Sequence, residues 1–192
     1  MAADGDNFGP RGDASCHVPL HQLEERLGAL PAAPRDVGRV TLLVRRHPDK
    51  TREMLERIEL APRCGIPGDA WGRSRNPEPI AELTVMQIDV AELIANGQPT
   101  TLFGDNVFLE LDLSAGSLPI GSRLRLGAST LEVTPKAHNG CRKFAARFGH
   151  DALRFVSKPE LRHRNLRGIY MRVVERGEVA VGDAVEVVSR LR

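Results

Sequence analysis

The chain is short of aromatic surface, with one Trp, one Tyr and six Phe among 192 residues. Base-stacking platforms of the single-strand-binding kind therefore have no support. It also lacks a charge excess: 27 basic against 25 acidic residues give a formal net charge of +2. A dedicated nucleic-acid binder carries a much larger field. Cysteine is sparse and odd in number, at positions 16, 64 and 141, which excludes an evenly paired disulfide framework. No secretory-type leader opens the chain, and no apolar run nears the roughly 18 residues of a bilayer span. The expectation is a cytoplasmic protein with reduced thiols, and with neither nucleic acid nor membrane among its partners.

Several motifs are missing as well. There is no CxxC and no HExxH, and His138 with Cys141 makes only half of a zinc site. Neither a phosphate-cradling Walker loop nor a GxGxxG fingerprint occurs, so nucleotide binding has no direct support. GxSxG is absent too, which argues against a nucleophile-elbow hydrolase.

What is present reads as one domain, since 192 residues match the usual domain length. Residues 1–16 are rich in Gly, Asp and Ala without an apolar period and are expected to form a disordered leader. The domain then covers 17–192. Leu20, Leu23, Leu27 and Leu30 recur at helical spacing until Pro31 and Pro34 stop them. Val40–Val44 is a β-rich run, whereas 50–61 fits helix by composition and strand by Ile58 and Leu60. A loop rich in proline and glycine occupies 62–79, long enough to suggest a function.

Beyond the loop, Leu83–Ile88 predicts a strand, and Asp89 suits the N-cap of a helix ended by Asn96-Gly97. Short apolar runs at 106–111, 123–126 and 129–133 suggest strands of a barrel or sandwich. Helical spacing returns over 141–156 with a break at Gly149, and the tail reads strand, turn, strand over 169–188. The sum is mainly β with helices, an α+β barrel with short helices packed on it.

Cys141 is the most suggestive position. It follows the Asn139-Gly140 turn and precedes a helical run, with Lys136, His138, Arg142, Lys143 and Arg147 close by in sequence. Positive neighbours and a helix N-terminus both favour the thiolate, the form that attacks or binds soft metals. A free cysteine is also often a small packing residue, and both readings stand at this point. A second basic cluster, Arg162-His163-Arg164-Asn165-Leu166-Arg167, precedes the last hairpin. It can hold an anionic cofactor through charge-assisted bonds or be a solvated turn. Gly68-Asp69 with Arg73 and Arg75 in the long loop poses the same choice.

Four segments in order resemble a known family. Gly65-Ile66-Pro67-Gly68-Asp69-Ala70-Trp71 is similar to the GxxGD motif of the MOSC domain, named after the C-terminal domain of molybdenum cofactor sulfurase. Asp105-Asn106-Val107 through Gly121-Ser122-Arg123-Leu124 resembles a strand and loop of that family. Ala137-His138-Asn139-Gly140-Cys141-Arg142-Lys143-Phe144, with Arg147-Phe148-Gly149, resembles its cysteine motif. Leu166-Arg167-Gly168-Ile169-Tyr170 and Gly177-Glu178-Val179 through Gly182-Asp183 look like its C-terminal hairpin. Together they span 38–188. Gly140 departs from the proline that many members place before the cysteine, and no pyridoxal phosphate lysine motif is evident.

The resemblance implies a MOSC-like β-barrel decorated with short helices. It implies that Cys141 is the position that ligates molybdenum of a molybdopterin cofactor in metal-binding members, while basic residues hold the anionic pterin phosphate. His138, Arg142, Lys143, Arg164, Asn165 and Arg167 are the candidates here, joined by Arg162 and by Arg73 and Arg75 of the long loop. The implied function is a molybdenum-cofactor-binding protein that reduces N-hydroxylated small molecules with an electron-donor protein. One alternative is a sulfur carrier holding a persulfide on Cys141, charged by a sulfur-donor protein. The other is a non-catalytic binding barrel in which Cys141 only packs.

Overall fold

The computed structural model describes residues 9–191. Ten strands form: β1 (Val37–Arg46), β2 (Arg52–Leu55), β3 (Arg57–Leu60), β4 (Leu83–Gln87), β5 (Val107–Glu110), β6 (Arg123–Leu126), β7 (Ser129–Val133), β8 (Ile169–Glu175), β9 (Gly177–Ala180) and β10 (Ala184–Ser189). The α-helices are α1 (Leu20–Ala29), α2 (Ile88–Ala95), α3 (Arg142–Phe148) and α4 (His150–Ser157). Seven strands close a barrel in the order β10-β6-β7-β8-β4-β5-β1, with β1 pairing back onto β10. The fold is the α+β barrel that the sequence implied.

β1 is long enough to serve two partners on one edge. Val37–Arg39 pair with β10 to close the barrel, while Leu43–Arg46 pair with β2. Its other edge runs against β5. Strand therefore prevails over helix in the ambiguous stretch 50–61: β2 folds back on β1 through a turn in which Lys50 is left-handed and Asp49 accepts from the Thr51 N–H, and β3 pairs with β9. A four-residue apolar alternation cannot declare itself without the partner strand that completes its hydrogen bonds.

Alternation along the strands shows which faces are covered. On β6, Arg123 and Arg125 are exposed while Leu124 and Leu126 are buried, so this wall has solvent outside and core inside. β4 and β5 instead bury both faces. Leu83, Val85, Val107 and Leu109 fill the barrel, while Met86 and Phe108 point out into a second core beneath α1–α4. The helices thus cover one flank of the barrel. α2 links β4 to β5, a parallel pair, as such a pairing requires a crossover.

The helical stretch expected over 141–156, with its break at Gly149, forms two helices, α3 and α4, that meet at Gly149 with φ +91°. α2 begins at Ile88, one residue before the expected N-cap Asp89, and ends at left-handed Asn96. Of the expected leader, residues 1–8 lie outside the described residues. From Gly9 onward the chain lies against the helices: Gly12 N–H donates to Ala146 O, Asp13 N–H to Gln98 Oε1 at 2.7 Å, and Ala14–Cys16 form a 3-10 turn. The backbone groups of Gly12 and Asp13 thus find partners on α3 and the turn after α2. Among the described residues no helix is long and apolar enough to cross a membrane.

Candidate functional site

The long loop after β3 is a structured turn around one carboxylate. Asp69 is buried, and its oxygens accept from the Arg46 backbone at 2.8 Å, the Arg46 guanidinium, Asn106 Nδ2 at 3.1 Å and the Trp71 N–H at 3.0 Å. Burial works against its charge, but the Arg46 hydrogen bonds outweigh burial and hold the carboxyl below its usual range. Asp69 of the GxxGD motif thus ties the end of β1, the loop and the start of β5 together. Arg73 serves the same turn, donating to Gly68 O and Arg46 O, while Arg75 is exposed.

A second polar group lies under the helical flank. The turn after α4, a 3-10 segment over Pro159–Arg164, ends at Asn165, which is left-handed and donates to Leu113 O at 2.8 Å. Two residues on, Arg167 points inward, meeting Asp105 Oδ2 at 2.5 Å and Phe103 O at 3.3 Å. Its guanidinium also lies over the Phe103 and Phe144 rings, 5.8 and 5.4 Å from their centroids, a favourable cation–π placement. Gly168 makes this turn possible: its φ is +89°, and a Cβ there would lie 2.3 Å from Val85 O.

His138 completes the group. Its side chain is 7% exposed, its ring packs 4.5 Å from Tyr170, and its Nδ1 stands 3.7 Å from Asp105 Oδ1. Burial first, then the positive charges of Arg167, Arg46 and Lys136, hold its pKa well below the usual imidazole range, so the ring is neutral at pH 7. Complete burial pushes Asp105 upward against the pull of Arg167. Three buried polar atoms here, His138 Nδ1, Asp105 Oδ1 and Arg167 Nε, have no hydrogen-bond partner among the described residues. Buried polar groups are nearly always paired, and exceptions concentrate at sites built to do something.

Beside them opens a cavity of about 400 Å³ lined by His138, Asn139, Val156, Arg162, Asn165 and Arg167, with Ala137, Ser157 and Leu166 completing its wall. Cys141 lies two residues beyond Asn139, at the N-cap of α3, and is exposed. Gly140 sits where the chain passes α4 closely, since a Cβ there would fall 2.5 Å from Leu153 Cδ1.

Of the residues singled out in the sequence, the fold brings His138, Asn165, Arg167 and Arg162 around one cavity, and the exposed Cys141 follows its wall residue Asn139 by two positions along the chain. Arg142, Lys143 and Arg164 are exposed outside it, and Arg73 and Arg75 belong to the long loop. Asp105, Tyr170 and Arg46 were not identified from sequence as members of the group. Asp105-Asn106-Val107 carried part of the resemblance, but only the approach of Arg167 across 62 residues gives Asp105 its role. Among the described residues, no three or more His, Cys, Asp or Glu side chains are grouped to hold a metal ion.

The MOSC domain family model matches residues 87–186, slightly more than half of the chain. The chain belongs to the MOSC domain family, a family associated with molybdenum cofactor binding. Comparison with curated protein sequences gives no match. Among solved structures, the chain is similar to the YuaD protein from Bacillus subtilis, at 18% identity over 81% of this chain and 98% of that one, with a TM-score of 0.54. It is also similar to YiiM from Escherichia coli, at 18% identity over 80% of this chain and 71% of that one, with a TM-score of 0.54. At these identities the likeness concerns the fold.

The site residues fit a molybdopterin cofactor by their chemistry. An exposed thiol can supply one soft ligand to a metal that arrives with its own sulfur ligands. The cavity offers guanidinium groups suited to a phosphate.

Proposed function

We propose that this MOSC domain binds the molybdenum cofactor, with Cys141 as the protein's metal ligand, and reduces N-hydroxylated small molecules. The observation that carries the reading is the exposed Cys141 beside a cavity lined by Arg162, Asn165, Arg167 and neutral His138. Arg162 and Arg167 take the anionic end of the pterin, and Cys141 gives up its thiol proton to ligate. When bound, the cofactor supplies a metal centre able to pass two electrons. The net reaction is R–NHOH + 2 H⁺ + 2 e⁻ → R–NH₂ + H₂O, the electrons coming from an external donor. Neutral His138, whose Nδ1 lies 3.7 Å from Asp105 Oδ1, is the group we assign to proton handling.

The test is elemental analysis by plasma mass spectrometry of protein from a cofactor-competent host, wild type beside Cys141→Ala. Near-stoichiometric molybdenum in the wild type and none in the variant is the expected result. Molybdenum retained by Cys141→Ala removes the ligand assignment. None in either, while a known molybdoenzyme loads normally in the same host, removes the cofactor.

The exposure of Cys141 also supports a second reading, a sulfur carrier. A donor persulfide would transfer its outer sulfur, R–S–SH + Cys141–SH → R–SH + Cys141–S–SH. A mass increase of one sulfur atom on Cys141, in protein without molybdenum, selects this alternative.

A further inference from the structure

The charge of this chain is small in total and strongly divided. Residues 136–167 hold nine of the 27 basic and two of the 25 acidic residues, leaving 18 and 23 elsewhere. That stretch is therefore +7 and the rest of the chain −5. The fold gathers the stretch on the helical flank, as α3, α4 and the 159–164 segment around the cavity.

Pairing divides in the same way. On the barrel walls, five exposed cations are matched, Arg57 to Glu178, Arg125 to Glu186, Arg123 and Arg172 to Glu132, and Arg176 to Glu59, while Arg63 and Arg75 of the long loop are exposed singly without a carboxylate at ion-pair distance among the described residues. Lys136, Arg154 and Lys158 on the flank are matched too. Arg142, Lys143, Arg162 and Arg164 are exposed, and none has a carboxylate within ion-pair distance among the described residues. Arg142 and Lys143 follow Cys141 directly, and Arg162 lines the cavity that reaches Asn139. Unmatched surface cations repel one another and add little to folding, so their concentration at one place points to a partner that supplies the opposite charge.

We infer that this rim is the docking face for the acidic surface of an electron-donor protein, an inference that rests on the proposed reduction for why such a partner comes to Cys141. A protein is favoured over nucleic acid because Phe144, next to Lys143, is buried, which leaves the small imidazole of His163 between Arg162 and Arg164 in place of an exposed Phe, Tyr or Trp for base stacking. It is favoured over a membrane because the rim is a patch around a recessed cavity, without the apolar helix face that would enter lipid. The surface also separates two roles that sequence merged: Arg162 and Arg167 face the cavity, while Arg142, Lys143 and Arg164 face outward.

The test uses the apo protein and an oxidised acidic [2Fe–2S] ferredoxin as the probe, followed by NMR. Paramagnetic broadening is expected at Cys141, Arg142, Lys143 and 162–164. Affinity should fall about tenfold between roughly 50 and 300 mM salt. Lys143→Glu/Arg164→Glu should weaken binding by about tenfold, and Lys143→Gln/Arg164→Gln by less. Arg57→Glu/Arg176→Glu, with the same change in net charge, should change it by less than about twofold. Equal weakening by both reversals, or broadening confined to the barrel walls, overturns the docking face. So does tighter binding, at equal salt, to a single-stranded oligonucleotide or to phosphatidylserine vesicles. Because the apo protein is used, an absence of molybdenum in the earlier experiment leaves this outcome independent. Loss of the ferredoxin contact in molybdenum-loaded protein would remove the docking face alone.

Discussion

Glu82 and Asp105 are both buried carboxylates, and burial pushes both upward from the usual carboxylate range. Glu82, just ahead of β4, has both oxygens occupied by backbone donors: Gly65 N–H at 2.8 Å and Val173 N–H at 3.2 Å. Asp105, under the helices, has one oxygen on Arg167 and the other without a partner among the described residues. The first joins the long loop to β8 and is finished. The second belongs to a group with His138 and Arg167 that the protein leaves incomplete beside a cavity. The buried carboxylate on the barrel side is thus fully paired by backbone donors, whereas the one under the helical flank keeps an oxygen without a hydrogen bond among the described residues.

This contrast can be broken at its strongest point first. Asp105→Ala leaves the Arg167 guanidinium buried without its counter-charge and should cost about 3–5 kcal/mol in urea unfolding. Glu82→Gln keeps an acceptor for one N–H and turns an amide toward the other, so about 1–3 kcal/mol is expected. If Glu82→Gln proved the more damaging of the two, the division into finished and unfinished carboxylates would fail. Both variants should be read by circular dichroism, with matching denaturant slopes as evidence that the two-state comparison is sound.

The smallest effect is a pH dependence. His138 is held neutral by burial and by Arg167, Arg46 and Lys136, and Asp105 and Tyr170 face it as well. Below the unfolded-state imidazole pKa of about 6.5, the unfolded chain takes up a proton that the folded chain refuses. Stability should therefore fall as pH falls through that range, by about 1 kcal/mol at pH 5.5 from this residue. His138→Phe keeps a ring against Tyr170 and removes the proton site, so its stability should be flatter between pH 7 and 5.5. Identical slopes in wild type and variant would show that His138 charges normally in the folded protein.

Much of the scaffold was legible in the sequence because it rests on local physics. The leucine spacing of α1, the Asn96-Gly97 stop after α2 and the Arg123–Leu126 alternation each carry their own signal. Segment 52–60 did not, since two four-residue strands exist only by pairing with β1 and β9. Cys141 at a helix start was visible from the turn before it and the helical run after it. The sorting of the basic residues was not, because exposure and ion pairing depend on what lies across the fold.

By itself, then, the sequence determined a barrel-forming alternation, a helical segment broken at Gly149 and a cysteine set at a helix N-terminus among cations. Periodicity, turn chemistry and covalent neighbourhood are encoded within a few residues of each other. Only the tertiary structure decided that Asp105 meets Arg167 and His138, that Asp69 holds the long loop to β1, and that Arg142, Lys143 and Arg164 stay outside the cavity while Arg162 lines it. These outcomes follow from closing the barrel and laying α3 and α4 over β4 and β5, which brings side chains far apart in the chain into a common low-dielectric space.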